Sequence, residues 1–318
     1  MKAVVVALAF ATVAAAMQPA DIGPAPGTLV DIGGRKLHAM CSGSGSPAVV
    51  LEAGASSFAI DWSLVQPDLA KTTRVCAYDR AGHGWSDPGS VATSARIVAD
   101  LHALLGKMGE KPPYVLVGAS AGGLYVRTYE HTYPGEVAGL VLVDPAHEDR
   151  LFTFFQGQAV AIALLTAEQL KSTVPSQPVR VPRRSPQTGT PFDRLPPPLY
   201  KTRQALDAKL IDSIPEMVAP EIVAERAEGE RAALAALHAI SNRAEPALGD
   251  RPLVVLSRGI DLPQGARDVH ASLGRLTRNF RHTVVETSGH EVHLFEPAAV
   301  VRAIHDVLQS IRSGNRLQ

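Results

Sequence analysis

The chain has 318 residues, of which 46% are hydrophobic and 19% are charged. A chain of this length and composition can bury a large core, so we expect one large domain, with room for an inserted subdomain, and we exclude a disordered chain. Basic and acidic residues both total 31, and this balance disfavours nucleic acid as a partner because no net field attracts a polyanion.

The first twenty residues are typical of an export signal. Lys2 precedes an apolar run, and Ala14-Ala15-Ala16 is a small-residue stretch that suits signal peptidase. We expect residues 1–20 to be a signal peptide and the protein to be exported, either periplasmic or secreted. An uncleaved anchor or a buried first strand is the alternative, but the run is short for a membrane-spanning helix, and we expect no stable membrane insertion.

Eight short segments are predicted strands. Thr28–Ile32 and Arg35–Met40 are joined by Gly33-Gly34, which suits a tight hairpin. Six apolar runs typical of strands buried on both faces follow at 48–54, 74–80, 114–120, 137–144, 252–259 and 281–287. Helical patterns lie among them at 93–108, 121–133 and 297–311. This alternation predicts an α/β fold with a mostly parallel, doubly wound eight-stranded sheet.

A long segment interrupts the alternation after the sixth strand. Residues 175–198 are rich in Pro, Arg and Ser, whereas residues 219–239 are rich in Ala and Glu and predict a helix. We interpret 148–250 as a helical lid, with 21–147 and 251–318 forming the core. The alternative is a long loop with two ordinary packing helices.

Ser120 is the candidate nucleophile. It lies in a G-x-S-x-G pattern, Gly118-Ala119-Ser120-Ala121-Gly122, directly after a predicted strand and before a predicted helix. A nucleophile on such a turn adopts strained backbone angles, and small neighbours let the adjacent chains approach closely. The context therefore predicts a serine enzyme.

Five segments in this order and spacing resemble the α/β-hydrolase superfamily, as a member similar to bacterial serine esterases: VVLEAG, CAYDRAGHGWSD, VLVGASAGG, LVLVD and SGH. The resemblance runs from about Leu29 to the C-terminus and is weak over 148–250. The chain departs from the pattern at Ala119, a position often occupied by His, and at Ala53-Gly54, where His-Gly is common.

The resemblance also places the general base. A serine hydroxyl needs a base to take its proton, and histidine suits this task at neutral pH. His290 lies in the SGH segment, between the last predicted strand and the final helix, where the superfamily places its catalytic histidine. His83, His147 and His293 also lie near predicted strand ends.

Two aspartates are candidates for the acid that orients the imidazole. Asp144 ends the sixth predicted strand, and Asp261 follows the seventh. Most superfamily members use the later position, but they place two residues between the preceding glycine and the acid, and this chain has one. We favour Asp144 and keep Asp261 as the alternative.

The oxyanion of an ester-hydrolysis intermediate needs two hydrogen-bond donors. The resemblance points to the backbone N–H groups of Ala121, after the nucleophile, and of Ala55, after the first long strand; a plain tight loop at Gly54-Ala55 is the alternative. The segment 79–86, DRAGHGWS, is interpreted as structural, with charged residues that support neighbouring loops.

We expect no metal and no cofactor. His290-Glu291-Val292-His293 lacks the spacing of a zinc-binding H-E-x-x-H motif, and the chain carries no dinucleotide or phosphate-binding fingerprint. With only two cysteines, Cys41 and Cys76, the chain allows at most one disulfide. The superfamily's sheet order places the strands of these cysteines side by side, so a bridge is one alternative and two free thiols the other.

The predicted function is a carboxylesterase-like serine hydrolase with a small ester-like substrate. An aminopeptidase, a lactonase or a thioesterase would use the same parts, and a hydroxynitrile-lyase-like enzyme or a non-catalytic binder is the alternative. A haloalkane dehalogenase is disfavoured because its nucleophile is a carboxylate. The sequence carries no signal for the oligomeric state.

Overall fold

The computed structural model describes residues 22–317, so the predicted signal peptide lies outside the described residues. Within that range the chain forms twelve strands: β1 (Thr28–Asp31), β2 (Lys36–Ser42), β3 (Val49–Glu52), β4 (Val75–Tyr78), β5 (Tyr114–Ala119), β6 (Val137–Val143), β7 (Phe152–Phe155), β8 (Gln158–Ala161), β9 (Val179–Arg180), β10 (Met217–Val218), β11 (Leu253–Arg258) and β12 (Phe280–Val285). Its α-helices, over the same range, are α1 (Gln66–Leu69), α2 (Ser94–Met108), α3 (Gly122–Thr132), α4 (Ala167–Lys171), α5 (Pro197–Ser213), α6 (Pro220–Ser241), α7 (Ala266–Ser272), α8 (Val292–Phe295) and α9 (Pro297–Ser313).

One eight-stranded sheet organises the molecule, in the order β1-β2-β4-β3-β5-β6-β11-β12. The first two pairings along this order are antiparallel, and the remaining five are parallel. All eight strands overlap the segments predicted as strands, two from the hairpin pattern and six from the apolar runs, and the predicted mostly parallel α/β sheet is confirmed.

Successive residues of the central strands point to opposite faces of the sheet, as the two-residue period of a strand requires. In β5, Val115 and Val117 pack with residues of α1 and α9 on one face, and Leu116 packs with residues of α2 and α3 on the other. Both faces are therefore covered by helices, which explains why these strands are apolar throughout.

Local signals set the ends of the longer core helices. The Thr93 side chain accepts a hydrogen bond from the Arg96 backbone N–H at the start of α2, and Gly109 takes a left-handed conformation with φ 74° at its end. The chain returns from there to β5.

The segment 148–250 lies between β6 and β11 and contains both helices and strands. Besides α4, α5 and α6 it forms two small antiparallel sheets, β7-β8 and β9-β10, which the sequence did not predict. The helix predicted at 219–239 is α6, and its Leu234 and Leu237 join the core cluster formed by α2 and α3. The last helix of the insertion thus packs on the sheet's own helical layer. That the rest acts as a lid stays a prediction.

Cys41 and Cys76 form a disulfide bond. They are directly opposite each other in the antiparallel β2-β4 pair, with Cα atoms 4.1 Å apart. Of the two alternatives left by the sequence, the structure has the bridge, which joins the antiparallel end of the sheet to its parallel part.

Candidate active site

Ser120 lies on the tight turn between β5 and α3. Its φ of 51° is in the left-handed region, which is unfavourable for a residue with a side chain. The two glycines of the motif make the turn possible. A Cβ at Gly118 would lie 2.4 Å from the Gly122 carbonyl oxygen, and one at Gly122 would lie 2.6 Å from that of Glu52. The Ser120 N–H donates to the Val143 carbonyl of β6 at 3.0 Å.

The structure brings Ser120, His290 and Asp144 together. Ser120 Oγ lies 2.9 Å from His290 Nε2, and His290 Nδ1 lies 2.5 Å from Asp144 Oδ2. The Asp144 side chain is buried, whereas 37% of the His290 side chain is exposed. These contacts form a continuous hydrogen-bond chain from a buried carboxylate to an accessible hydroxyl, the arrangement that activates a serine.

Neighbouring strand β11 fixes Asp144. The Asp144 N–H donates to the Leu256 carbonyl at 2.7 Å, and the Arg258 N–H donates to Asp144 Oδ1 at 3.1 Å. Arg258 Nε also lies 3.5 Å from Asp144 Oδ2. Asp261, the alternative acid, is exposed, and His290 bonds to Asp144 instead. Arg258 was not predicted as a site residue; its place at the end of the strand beside β6 is the available signal.

The two predicted oxyanion donors lie on either side of Ser120. Ala121 is the residue that precedes the first turn of α3. Ala55 follows β3, and this loop touches the nucleophile, since a Cβ at Gly54 would lie 3.4 Å from Ser120 Cβ. Neither amide donates to another residue within 22–317. Both are therefore available to an oxyanion.

Arg80 fixes the loop that carries Ala55. This buried side chain donates to the backbone carbonyls of Ala53 at 2.7 Å and Gly54 at 2.6 Å, and more distantly to that of Ala55 at 3.2 Å. It also bonds to the buried carboxylate of Glu52 at 2.6 Å. The segment 79–86 thus supports a neighbouring loop, in agreement with its structural interpretation.

His83 is a second contact from the same segment. Its Nε2 lies 3.0 Å from the Ala55 carbonyl oxygen. Burial lowers the pKa of His83 to about 4, so the ring is neutral at pH 7 and can donate a single proton to this carbonyl. Gly84 is required beside it, because a Cβ there would lie 2.0 Å from Asp79 Oδ2.

A cleft opens at Ser120 and His290 and extends in two directions. The Pro145 arm, of about 630 Å³, is lined mainly by apolar groups such as Pro145, Leu151, Leu262 and Val269. The Gln187 arm, of about 550 Å³, is lined by the following residues besides Ser120 and His290: Gly54, Ala55, Ser56, Ser57, Ala119, Gln187, Glu291 and His293. Ser120 and His290 line both arms, so the cleft offers space on two sides of the Ser120 hydroxyl.

His293 packs against an aromatic side chain in the interior of the protein. It is buried, its ring packs against Trp62 in a tilted arrangement with centroids 4.6 Å apart, and burial lowers its pKa to about 3. His290 has both ring nitrogens bonded to Ser120 and Asp144. The two histidines of the HEVH segment therefore have separate partners, and the expectation of no metal stays a prediction.

Comparison with known proteins defines the class. A model of the alpha/beta hydrolase family matches residues 41–303, and the chain belongs to that family. Within residues 22–317, no helix has the length and apolar character needed to cross a membrane.

Solved structures share the fold at low sequence identity. A thermophilic esterase from Thermogutta terrifontis is 22% identical with a TM-score of 0.58, covering 87% of this chain and 94% of its own. An enol-lactonase from Burkholderia xenovorans is 19% identical with a TM-score of 0.59, covering 88% and 98%. A meta-cleavage product hydrolase from Pseudomonas fluorescens is 18% identical with a TM-score of 0.61, covering 91% and 99%. These likenesses show the fold alone.

Curated relatives match over different lengths. YqjL of Bacillus subtilis is 24% identical over 271 residues, which cover 83% of this chain and 85% of YqjL. Three other relatives are matched over only 18%, 15% and 37% of their own lengths.

Proposed function

We propose that the protein is a serine hydrolase that cleaves a small carboxylic ester through an acyl-enzyme. The observation that carries the proposal is the hydrogen-bond chain from Asp144 through His290 to Ser120. The two free amides beside the nucleophile and the two-armed cleft support it, and the esterase and lactonase with this fold are compatible with it.

The geometry supports a two-step mechanism. As Ser120 Oγ attacks the ester carbonyl carbon, its proton passes to His290 Nε2, and Asp144 stabilises the imidazolium. The N–H groups of Ala55 and Ala121 bind the oxyanion. When this intermediate collapses, the C–O bond to the alcohol breaks and His290 returns the proton to the leaving alkoxide. A water then repeats the sequence on the acyl-enzyme and releases the acid.

Hydrolysis of p-nitrophenyl esters of increasing chain length tests the proposal and names the acid. We expect kcat to fall by about 10⁴ to 10⁶ in Ser120→Ala and His290→Ala, and by about 10⁴ in Asp144→Asn. Asp261→Asn is the matched control and keeps kcat within about twofold. Circular dichroism verifies that each variant folds.

Two outcomes contradict the proposal. If folded wild type hydrolyses no ester, the esterase assignment is wrong, and lyase activity or binding without turnover takes its place. If Asp261→Asn rather than Asp144→Asn abolishes activity, the acid is misassigned.

Export remains part of the proposal. The predicted signal peptide and the Cys41–Cys76 bridge support it, because disulfides persist mainly in oxidising compartments. N-terminal sequencing of protein recovered from periplasm or culture medium tests it. An intact Met1 on protein confined to the cytosol contradicts it.

A further inference from the structure

Gln187 of the insertion reaches the catalytic cleft. It lies in a largely irregular segment between β9 and α5, yet it lines the Gln187 arm together with Ser120, His290 and the Ala55 loop. A residue of the insertion is thus placed within reach of whatever occupies this arm.

Three polar atoms of Gln187 are held by α5. Its N–H donates to Asp207 Oδ2 at 2.7 Å, and its backbone carbonyl and side-chain Oε1 accept from the Arg203 guanidinium at 3.2 Å and 2.8 Å. A guanidinium has donors only, so the amide atom that faces Arg203 must be the oxygen. The orientation of the side-chain amide is therefore fixed.

The groups that hold Gln187 are themselves anchored. Arg203, Asp207 and Asp61 are all fully buried. Arg203 Nε lies 3.2 Å from Asp61 Oδ1 in the loop after β3, and its guanidinium is centred 3.7 Å from the Phe192 ring. Arg184 neutralises Asp207. Burying this much charge is costly unless every group is paired, and here the pairing leaves Gln187 in one conformation before a ligand binds.

The side-chain NH₂ group of Gln187 is the part of this residue that α5 does not bind. Within residues 22–317 it has no hydrogen-bond partner, while the other polar atoms of Gln187 are all engaged. Two donors on a rigid support beside a nucleophile match the usual design of a polar contact in a ligand pocket.

We propose that Gln187 is a substrate-binding residue whose NH₂ group donates to a second oxygen of the ester substrate. The arm also contains the carboxylate residue Glu291, which repels an anion, so the second oxygen belongs to a neutral group such as an ether, hydroxyl or carbonyl. The preferred substrate is therefore an oxygen-substituted ester rather than a purely alkyl one. This inference rests on the proposed esterase function.

Two matched ester pairs test the contact. p-Nitrophenyl methoxyacetate and p-nitrophenyl butyrate differ by one oxygen in the acyl part, and 2-methoxyethyl butyrate and butyl butyrate differ by one in the alcohol part. The ratio of kcat/KM within each pair is compared between wild type and variants, because intrinsic reactivity differences then cancel.

The variants separate the donor from its surroundings. Gln187→Glu keeps an oxygen for Arg203 and loses the NH₂ donors, and Gln187→Met is an uncharged replacement of similar length. We define the ether-to-alkyl ratio as kcat/KM for the ether-containing ester divided by kcat/KM for its alkyl partner. In one of the two pairs we expect this ratio to fall about five- to tenfold in both variants, as the loss of one hydrogen bond predicts. Gln177→Glu makes the same chemical change at an exposed position of the insertion and keeps the wild-type ratio.

Ratios within twofold of wild type for both pairs in both Gln187 variants overturn the proposal while leaving the esterase intact. If wild type hydrolyses no ester, binding is measured instead of kcat/KM. Calorimetry then gives the dissociation constants of 2-methoxyethyl butyrate and butyl butyrate for Ser120→Ala. A preference for the ether that disappears in Ser120→Ala/Gln187→Met then supports the contact, and equal constants overturn it.

Discussion

Two buried arginines hold different walls of the Gln187 arm, and they do so with different sets of partners. Arg80 bonds to a loop of its own core, binding Glu52 and three successive carbonyls within 28 positions of the chain. Arg203 connects the insertion to the core through Asp61, 142 positions away, and presents Gln187. Both cations are enclosed by compensating partners, as buried charges require.

This difference predicts that one arginine affects catalytic turnover and the other affects substrate preference. The Arg80 contacts hold the proposed oxyanion donor and are part of the sheet's own loops, whereas the Arg203 contacts hold the proposed substrate contact and belong to the insertion. Changes at Arg80 should therefore reduce turnover of every ester, and changes at Arg203 should mainly alter which ester is preferred.

Among the side chains that support the walls of the cleft, Arg80 is expected to show the largest effect, in the variant Arg80→Met. It leaves the buried Glu52 without its cation and frees the carbonyls beside Ala55, so we expect a loss of about 3–5 kcal/mol in the free energy of unfolding and a drop in kcat of about 100-fold. Burial already raises the pKa of Glu52, and protonation limits the stability loss. Urea unfolding and p-nitrophenyl ester kinetics measure both.

The double variant Arg80→Met/Glu52→Gln separates the two effects. Neutralising Glu52 should restore part of the stability, whereas kcat stays low because the Ala55 loop still lacks its support. If the single variant retains kcat within twofold, Arg80 has no influence on the oxyanion site.

Arg203→Met should have the intermediate effect. Asp61 loses its cation in a fully buried position, which we expect to cost about 2–4 kcal/mol, while kcat on alkyl esters falls less than tenfold and the ether-to-alkyl ratio drops as in the Gln187 variants. Burial raises the pKa of Asp61 to about 6, so the cost is smaller at acid pH, where the carboxyl is protonated.

Adding Asp61→Asn to Arg203→Met should recover stability without recovering the ratio. A wild-type ratio in Arg203→Met shows instead that Gln187 needs no support from α5. Either result sharpens the distinction between the two arginines.

Local chemistry explains how much of the catalytic core the sequence predicts. The central strands are apolar on both faces because helices cover both, and Gly118 and Gly122 around Ser120 indicate a turn that only small residues allow. The acid stayed open because β6 and β11 are adjacent parallel strands, so carboxylates after either end reach the same edge. In the structure His290 contacts Asp144, and the activity of Asp144→Asn and Asp261→Asn tests the choice between them.

The insertion gives weaker local signals. α5 buries charged residues, Arg203 and Asp207, so its inward face lacks the apolar periodicity that marks a helix in sequence. The strands β7 to β10 have two to four residues each. Gln187 owes its place to long-range contacts, which no local pattern records.

The smallest expected effect is at His83, the second support of the Ala55 loop. Burial lowers the pKa of His83 from 6.5 to about 4, so between these values the unfolded chain binds more protons than the native one, and this group makes stability rise with pH. Its contribution is complete above about pH 6.5 and is lost as the pH falls towards 4.

His83→Gln tests this step because a glutamine N–H can still donate to the Ala55 carbonyl but does not titrate. We expect kcat at pH 7.5 to fall less than about threefold, and the free energy of unfolding to depend less steeply on pH between 4 and 6.5 than in wild type, where one such proton contributes up to about 1.4 kcal/mol per pH unit. Urea unfolding at half-unit pH intervals gives the two stability curves. The contributions of the other buried histidines are the same in both curves and cancel when one is subtracted from the other. His131→Gln, at an exposed position of α3, is the matched control and should follow wild type. Parallel curves for His83→Gln and wild type mean that His83 is not held neutral against the loop, and Arg80 is then left as the support of the proposed oxyanion donor Ala55.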